Sequence, residues 1–199
     1  MLFIDGENFT FRAQEYAKAE RLILERGPHY EPDVFVWMPT AHPEKFWYYC
    51  GPSDTDLSSQ LALQAQGVRA HYYTSAVGSD EIRENVRAAL WDLGFSPYVF
   101  KKDKQTSKTK GVDVTLTKDV LSHAYQNNYD AVFLVAGDGD YVQLVEEVKR
   151  RGKIVYVAFF GGGPEMGLSP ELRLVADRFF QLNAQVSATW TPYLQRKNA

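Results

Sequence analysis

A chain of 199 residues, 45% of them hydrophobic and 14% aromatic, can bury the core of one domain, and two independent domains are not expected. The formal charge of −3 gives no global basic field, so any nucleic-acid surface has to be a local patch. Cys50 is the single cysteine, which excludes an internal disulfide and a cysteine-built zinc site.

The first predicted element is a strand, "LFID" at 2–5, with no charged leader or cleavage site before it. No apolar run reaches the roughly 18 residues of a membrane span, so a soluble, cytoplasmic protein is expected. A helical period follows over 9–26 and ends at Gly27. Residues 28–66 then break the rhythm with the proline-rich "GPHYEPDVFVWMP", a strand "VFVWM", the aromatic run "FWYYC" and a short helix near 56–66. An insertion is the simplest account. Its aromatics, Trp37, Phe46, Trp47, Tyr48 and Tyr49, would form either a satellite core or a surface for a partner.

Beyond it, strands are predicted at 68–75, 96–102, 131–137 and 154–160, and helices over 80–93, 112–127 and 141–151. Gly94 and Gly152 stand where helix C-caps belong. A glycine-rich loop then leads to Ser169 as an N-cap, with Pro170 at the first helical position. Strands alternating with helices imply a mainly parallel sheet covered on both faces. The whole, 1–199, reads as a single domain with an insertion at 28–66.

In such a sheet, chemistry sits at the carboxyl ends of the strands. Asp5 closes the first strand, and Asp138 and Asp140 follow the strand "AVFLVAG" directly, so all three are expected on one rim. In "KGVDVTLTKDVLSHA" a helical stripe runs Asp113, Leu116, Thr117, Val120, Leu121, Ala124, which would aim Asp113 at the sheet and leave Asp119 off that face. Four converging carboxylates repel one another unless something positive is present. With no cysteine or histidine beside them, a hard cation is implied, Mg²⁺ or Mn²⁺, ligated by Asp5, Asp113, Asp138 and Asp140.

Nearer coincidences fail. A calcium loop beginning at Asp138 would need glycine at Gln143 and glutamate at Lys149, and a phosphate-binding loop over 162–169 would need lysine at Leu168. His29, His42, His71 and His123 lie in unrelated segments, so no catalytic histidine pair is expected.

"FIDGENF", "KGVDVTLTKDVL", "YDAVFLVAGDGDYVQLVEEVKRRGKIVYV" and "GLSPELRLVADRFFQL" together resemble the NYN domain, a PIN-like nuclease family of the LabA type, over about 1–26 and 68–183. The resemblance implies a Rossmann-like, three-layer α/β/α sandwich and a metal-dependent endoribonuclease acting on RNA. Carried over by motif, Asp5 would be the first-strand metal ligand, Asn8 would position water or phosphate, and Asp113, Asp138 and Asp140 would complete the acidic set. Ala136 departs from the pattern, because the family often has a hydroxyl residue before "GDGD".

The lysines of "KKDKQTSKTKG" (101–111) are expected on a loop leading into the Asp113 helix, with Lys110, Lys108 and Lys104 as phosphate contacts, Lys110 foremost. Two rivals stand beside the nuclease. A catalytically silent RNA-binding or regulatory module would share the motifs. A haloacid-dehalogenase-like phosphatase would share the first aspartate and the "GDG", yet needs a second aspartate where Glu7 stands. Tyr141 could stack a base, with core packing as its plainer role. Whether the chain pairs into a homodimer is left open.

Overall fold

A computed structural model describes residues 1–19, 22–24, 69–92, 94–102, 111–161, 167–183 and 194–196. In chain order these form β1 (Leu2–Asp5), α1 (Gly6–Ala19), β2 (Leu22–Leu24), β3 (Ala70–Val77), α2 (Asp80–Asp92) and β4 (Ser96–Lys102). There follow α3 (Val112–Tyr125), β5 (Ala131–Val135), a 3₁₀ turn at Gly139–Tyr141, α4 (Val142–Arg150) and β6 (Ile154–Phe159). Last come α5 (Pro170–Val175), β7 (Arg178–Gln181) and β8 (Leu194–Arg196).

Six strands pair in the order β4-β3-β1-β5-β6-β7, every neighbour parallel. The fold class read from the sequence is therefore the observed one, a parallel α/β sheet between helical layers. One core cluster joins Leu2, Ile4, Tyr72 and Phe133 to Phe9 and Ala13 of α1 and Val86 and Leu90 of α2. The other joins Phe3, Tyr73, Leu134 and Val157 to residues of α3, α4 and α5. Alternate residues of β1 and β3 thus feed opposite cores, the period of a strand buried on both faces. Each fully buried aromatic contributes on the order of 2 kcal/mol, which is why these short strands hold without a polar face.

Several expectations need correction. The period over 9–26 is helical only to Ala19, and Leu22–Leu24 is a strand antiparallel to β8. The third strand runs Ala70–Val77 instead of 68–75. Lys101 and Lys102 end β4 and are not loop residues. Arg178–Gln181 adds a parallel edge strand that the sequence reading lacked; its four residues have no buried face to betray them. Ser169 does cap α5, its hydroxyl accepting from Leu172 N, with Pro170 at the first turn. Gly94 and Gly152 have φ of 88° and 74°, as C-cap glycines do. The segment 28–66 and Lys104, Lys108 and Lys110 lie outside the described residues.

His71, opposite Phe3 in the β1–β3 register, is a core residue. Its ring stacks on Phe3 at 4.9 Å, and neither ring nitrogen has a hydrogen-bond partner among the described residues. Burial, and next the charge of His123, push its pKa down to about 4. The unfolded chain therefore takes up a proton near pH 6.5 that the folded one refuses until about pH 4. Stability should fall as the pH drops through this window, by on the order of 2 kcal/mol. In His71→Phe that part of the acid loss should vanish; urea titrations at pH 7 and pH 4.5 check it, and equal acid losses in both proteins would refute it.

Candidate active site

Chain order reverses at the sheet's centre. From β1 the chain moves out to β3 and β4, then returns to β5 on the other side of β1 and moves out to β6 and β7. Ligands of open α/β sheets bind in the crevice at such a switch point, beyond the carboxyl ends of the strands. Asp5 ends β1 there, and Asp138 and Asp140 follow β5, whose Val135 lies opposite Ile4.

Both turns are built on glycine for steric reasons. A Cβ on Gly6 would lie 2.0 Å from the Tyr72 ring, and one on Gly137 would lie 2.2 Å from Phe159 and 2.6 Å from the carbonyl of Gly167. No side chain fits at either position, so the backbone beside each acid is packed tightly against the core.

Asp5 is 3% exposed. Its Oδ1 accepts from the backbone N–H of Asn8 at 3.1 Å, in the first turn of α1. Its Oδ2 lies 3.0 Å from the hydroxyl of Tyr141, and the same hydroxyl lies 3.0 Å from Asp113 Oδ1. Tyr141 is buried, as core packing required, but its ring carries an oxygen to the point where two carboxylates meet. A phenol has one proton to give. Two contacts of hydrogen-bond length therefore need a second proton, from one of the acids, or a cation in its place.

The electrostatics agree with this count. Burial pushes the Asp5 carboxyl up to about 7, reinforced by the charges of Asp113 and Glu7 and opposed by the bonds from Asn8 N and Tyr141. Asp113 is raised as well, first by loss of water, then by Asp138, Glu7 and Asp140, against the lowering bond from Tyr141. The phenol of Tyr141 is held far above its ordinary range by burial and both carboxylates. At neutral pH Asp5 is thus near half protonation and can donate to Tyr141, which then donates to Asp113.

The structure unites the predicted residues unevenly. Asp5 and Asp113 share one hydroxyl. Asp113 itself is exposed at the margin of the α3 stripe, whose buried members are the expected Leu116, Val120 and Ala124, headed by Val112 in place of Asp113. Asp138 caps the 3₁₀ turn, its Oδ1 accepting from Asp140 N at 3.0 Å, and both of these acids are exposed at the rim. Among the described residues, no three Asp, Glu, His or Cys side chains stand ready to enclose a metal ion. Asn8 Oδ1 is buried and has no hydrogen-bond donor among the described residues. Asp119 accepts from Tyr73 at 3.0 Å and ties α3 to β3.

Three residues have roles that sequence reasoning does not give them. Tyr141 reads as core or a stacking ring, not as the hydroxyl between two acids. Glu7 and Lys102, which read only as a departure from the phosphatase pattern and as part of a basic stretch, are ion-paired across 95 positions of sequence, with Glu7 Oε2 also accepting from Ser75 Oγ at 2.9 Å. Only the choice of Glu and Lys at element ends hinted at this, and such residues are common there.

The sequence matches the NYN domain over residues 1–183. An uncharacterised protein of Methanocaldococcus jannaschii is 27% identical over 113 residues, which cover 57% of this chain and 40% of that protein. The matched region thus spans less than half the length of that relative. A crystal structure of a protein of unknown function from Vibrio parahaemolyticus is similar with a TM-score of 0.59 and 21% identity, covering 98% of this chain and 94% of that one. At this identity the likeness concerns the fold.

Proposed function

The chain belongs to the NYN domain family, whose members are generally nucleases, and from this premise we propose that it is a divalent-metal-dependent endoribonuclease. The observation that carries the reading is the pair Asp5 and Asp113 set on one hydroxyl at the switch point, short of one positive charge. The donor set is all oxygen, and the buried Asn8 Oδ1, which has no donor among the described residues, stands in the same turn, which suits Mg²⁺ or Mn²⁺. Asp5 and Asp113 would hold the ion, with Asp138 and Asp140 completing its donor set from the rim. When bound, such an ion lowers the pKa of water and neutralises charge developing on a phosphodiester.

The chain's own part is placement and proton handling. Asn8 N fixes one Asp5 oxygen and Tyr141 fixes the other and orients Asp113, while Asn8 Oδ1 would accept a hydrogen bond from water or substrate. The water oxygen bonds to phosphorus as a bridging P–O bond breaks. One proton of the water is lost as it attacks, and the departing oxygen takes up one and leaves as a hydroxyl, so the phosphodiester becomes a monoester and an alcohol. Nothing in this step uses the 2′-hydroxyl, so the preference for RNA rests on the family. Asp138's engagement as a cap favours a second reading, a non-catalytic RNA-binding module. One assay separates the two: single-stranded RNA should be cut in Mn²⁺ or Mg²⁺ and left intact in chelator, with Asp5→Asn silent. Tight RNA binding by a purified wild type that never cuts would decide for the module, and cleavage that persists in chelator would refute the metal dependence.

A further inference from the structure

Every acid at the switch point repels a polyanion, so the surroundings must offer a cation that meets phosphate directly. The sheet itself supplies a place for one. Asp5 lies opposite Tyr73, and Tyr73 opposite Tyr98, yet β3 and β4 continue to Val77 and Lys102. The two strands therefore overhang the acids by about 13 Å at 3.3 Å per residue. They form one wall of the crevice.

Side-chain alternation decides which face of that wall each residue occupies. Phe3 of β1, Tyr73 of β3, and Tyr98 and Phe100 of β4 belong to the core under α3, so Asp5, Ser75 and Lys102 share their face. Gly111, which opens the Asp113 helix, lies against the Phe100 ring, where an added Cβ would come within 3.5 Å. Lys102 thus stands above the start of the helix that delivers Asp113. Glu7, from the first turn of α1, reaches the same face. It takes the Lys102 ammonium on Oε1 and the Ser75 hydroxyl on Oε2, and it is close enough to raise the pKa of both Asp5 and Asp113.

We propose that Lys102 grips a phosphate of the RNA backbone next to the one cut, with Glu7 and Ser75 as the positioning residues that hold its ammonium on the acid face of the overhang. The assignment rests on the nuclease reading and deepens it. Lys102 is only partly covered, its side chain 25% exposed, so the ammonium can turn from Glu7 to a phosphate oxygen without crossing the core. Lys101, its neighbour on β4, falls on the opposite face of the strand by alternation, while Arg12 pairs with Glu15 and Lys118 with Asp119.

The test measures binding apart from cleavage. In an Asp5→Asn background with Mg²⁺, the affinity of a fluorescent single-stranded RNA is followed against salt concentration. Adding Lys102→Gln should weaken binding about tenfold at low salt and lower the slope of log K against log salt by about 0.7, the value for one phosphate contact on a single strand. Lys102→Arg should restore both. Adding Glu7→Gln to Lys102→Gln separates a contact from mere neutralisation: a full return of affinity would show that the lysine only balances Glu7, and would overturn the proposal. An unchanged slope in Lys102→Gln would overturn it too, while leaving the nuclease reading intact. Absence of any affinity for RNA in both the Asp5→Asn protein and the otherwise unaltered chain with Mg²⁺, together with no cleavage by the latter, would overturn both.

Discussion

Asp5→Asn should abolish activity and, with divalent ions removed, make the protein more stable at neutral pH. The wild-type carboxyl titrates near 7 in the fold against an ordinary value of 3.8, so the folded state holds a proton that the unfolded state has released. The contribution is complete below about pH 3.8 and is lost as the pH rises through 7. A displacement of this size corresponds to on the order of 2 to 4 kcal/mol once the window is crossed. An asparagine avoids that loss and completes the hydrogen-bond chain: its Oδ1 can accept from Asn8 N, its Nδ2 can donate to Tyr141, and Tyr141 can donate to Asp113. Thermal or urea unfolding of both proteins at pH 4.5, 6 and 7.5 in chelator checks the sign, and taking their difference cancels the opposite trend from His71. Cleavage should fall on the order of 10³-fold or more, since the variant loses an anionic oxygen where charge has to be neutralised. A variant less stable than wild type across the whole window would refute the argument.

Tyr141→Phe should reduce activity by about ten- to a hundredfold while moving stability the other way. The ring still fills its place under α3, so the fold persists. The lost hydroxyl leaves a buried Asp5 oxygen without its partner and Asp113 without its donor, and a hydrogen bond to a charged group is worth about 1.5 to 3 kcal/mol. The variant should melt several degrees lower, and half-saturation by Mn²⁺, followed by calorimetry, should weaken because Asp113 is no longer held towards Asp5. Combining it with Asp5→Asn should give far less than the sum of the two losses, the mark of residues that act as a unit. Unchanged cleavage and Mn²⁺ affinity in Tyr141→Phe would show the hydroxyl to be an ornament of the core.

These expectations mark where reading residues stops and geometry begins. Asp5 and Asp138 were legible because each follows a β-rich run and touches a glycine, and parallel strands send their ends to one rim. Asp113 was found by periodicity, and Leu116, Val120 and Ala124 of the stripe are buried as drawn, but at its head the buried residue is Val112 and Asp113 stands at the edge. Tyr141 could not be read, because an aromatic residue two-thirds of the way along the chain looks like packing whether or not its oxygen meets an acid. The Glu7–Lys102 pair was hidden for another reason, since nothing local records that residues 95 positions apart share one face. β7 was invisible because "RFFQ" is short and half-exposed throughout.

The reversal of strand order at β1 also bears on how the protein is made. β1 is synthesised first but lies between β3 and β5, so its neighbours emerge later from the ribosome. Tyr141, which brings Asp5 and Asp113 together, follows the last of these neighbours. Until that point is translated, β1 can pair with β3 but Asp5 and Asp113 lack the hydroxyl that joins them, so the acid pair is completed only late in synthesis.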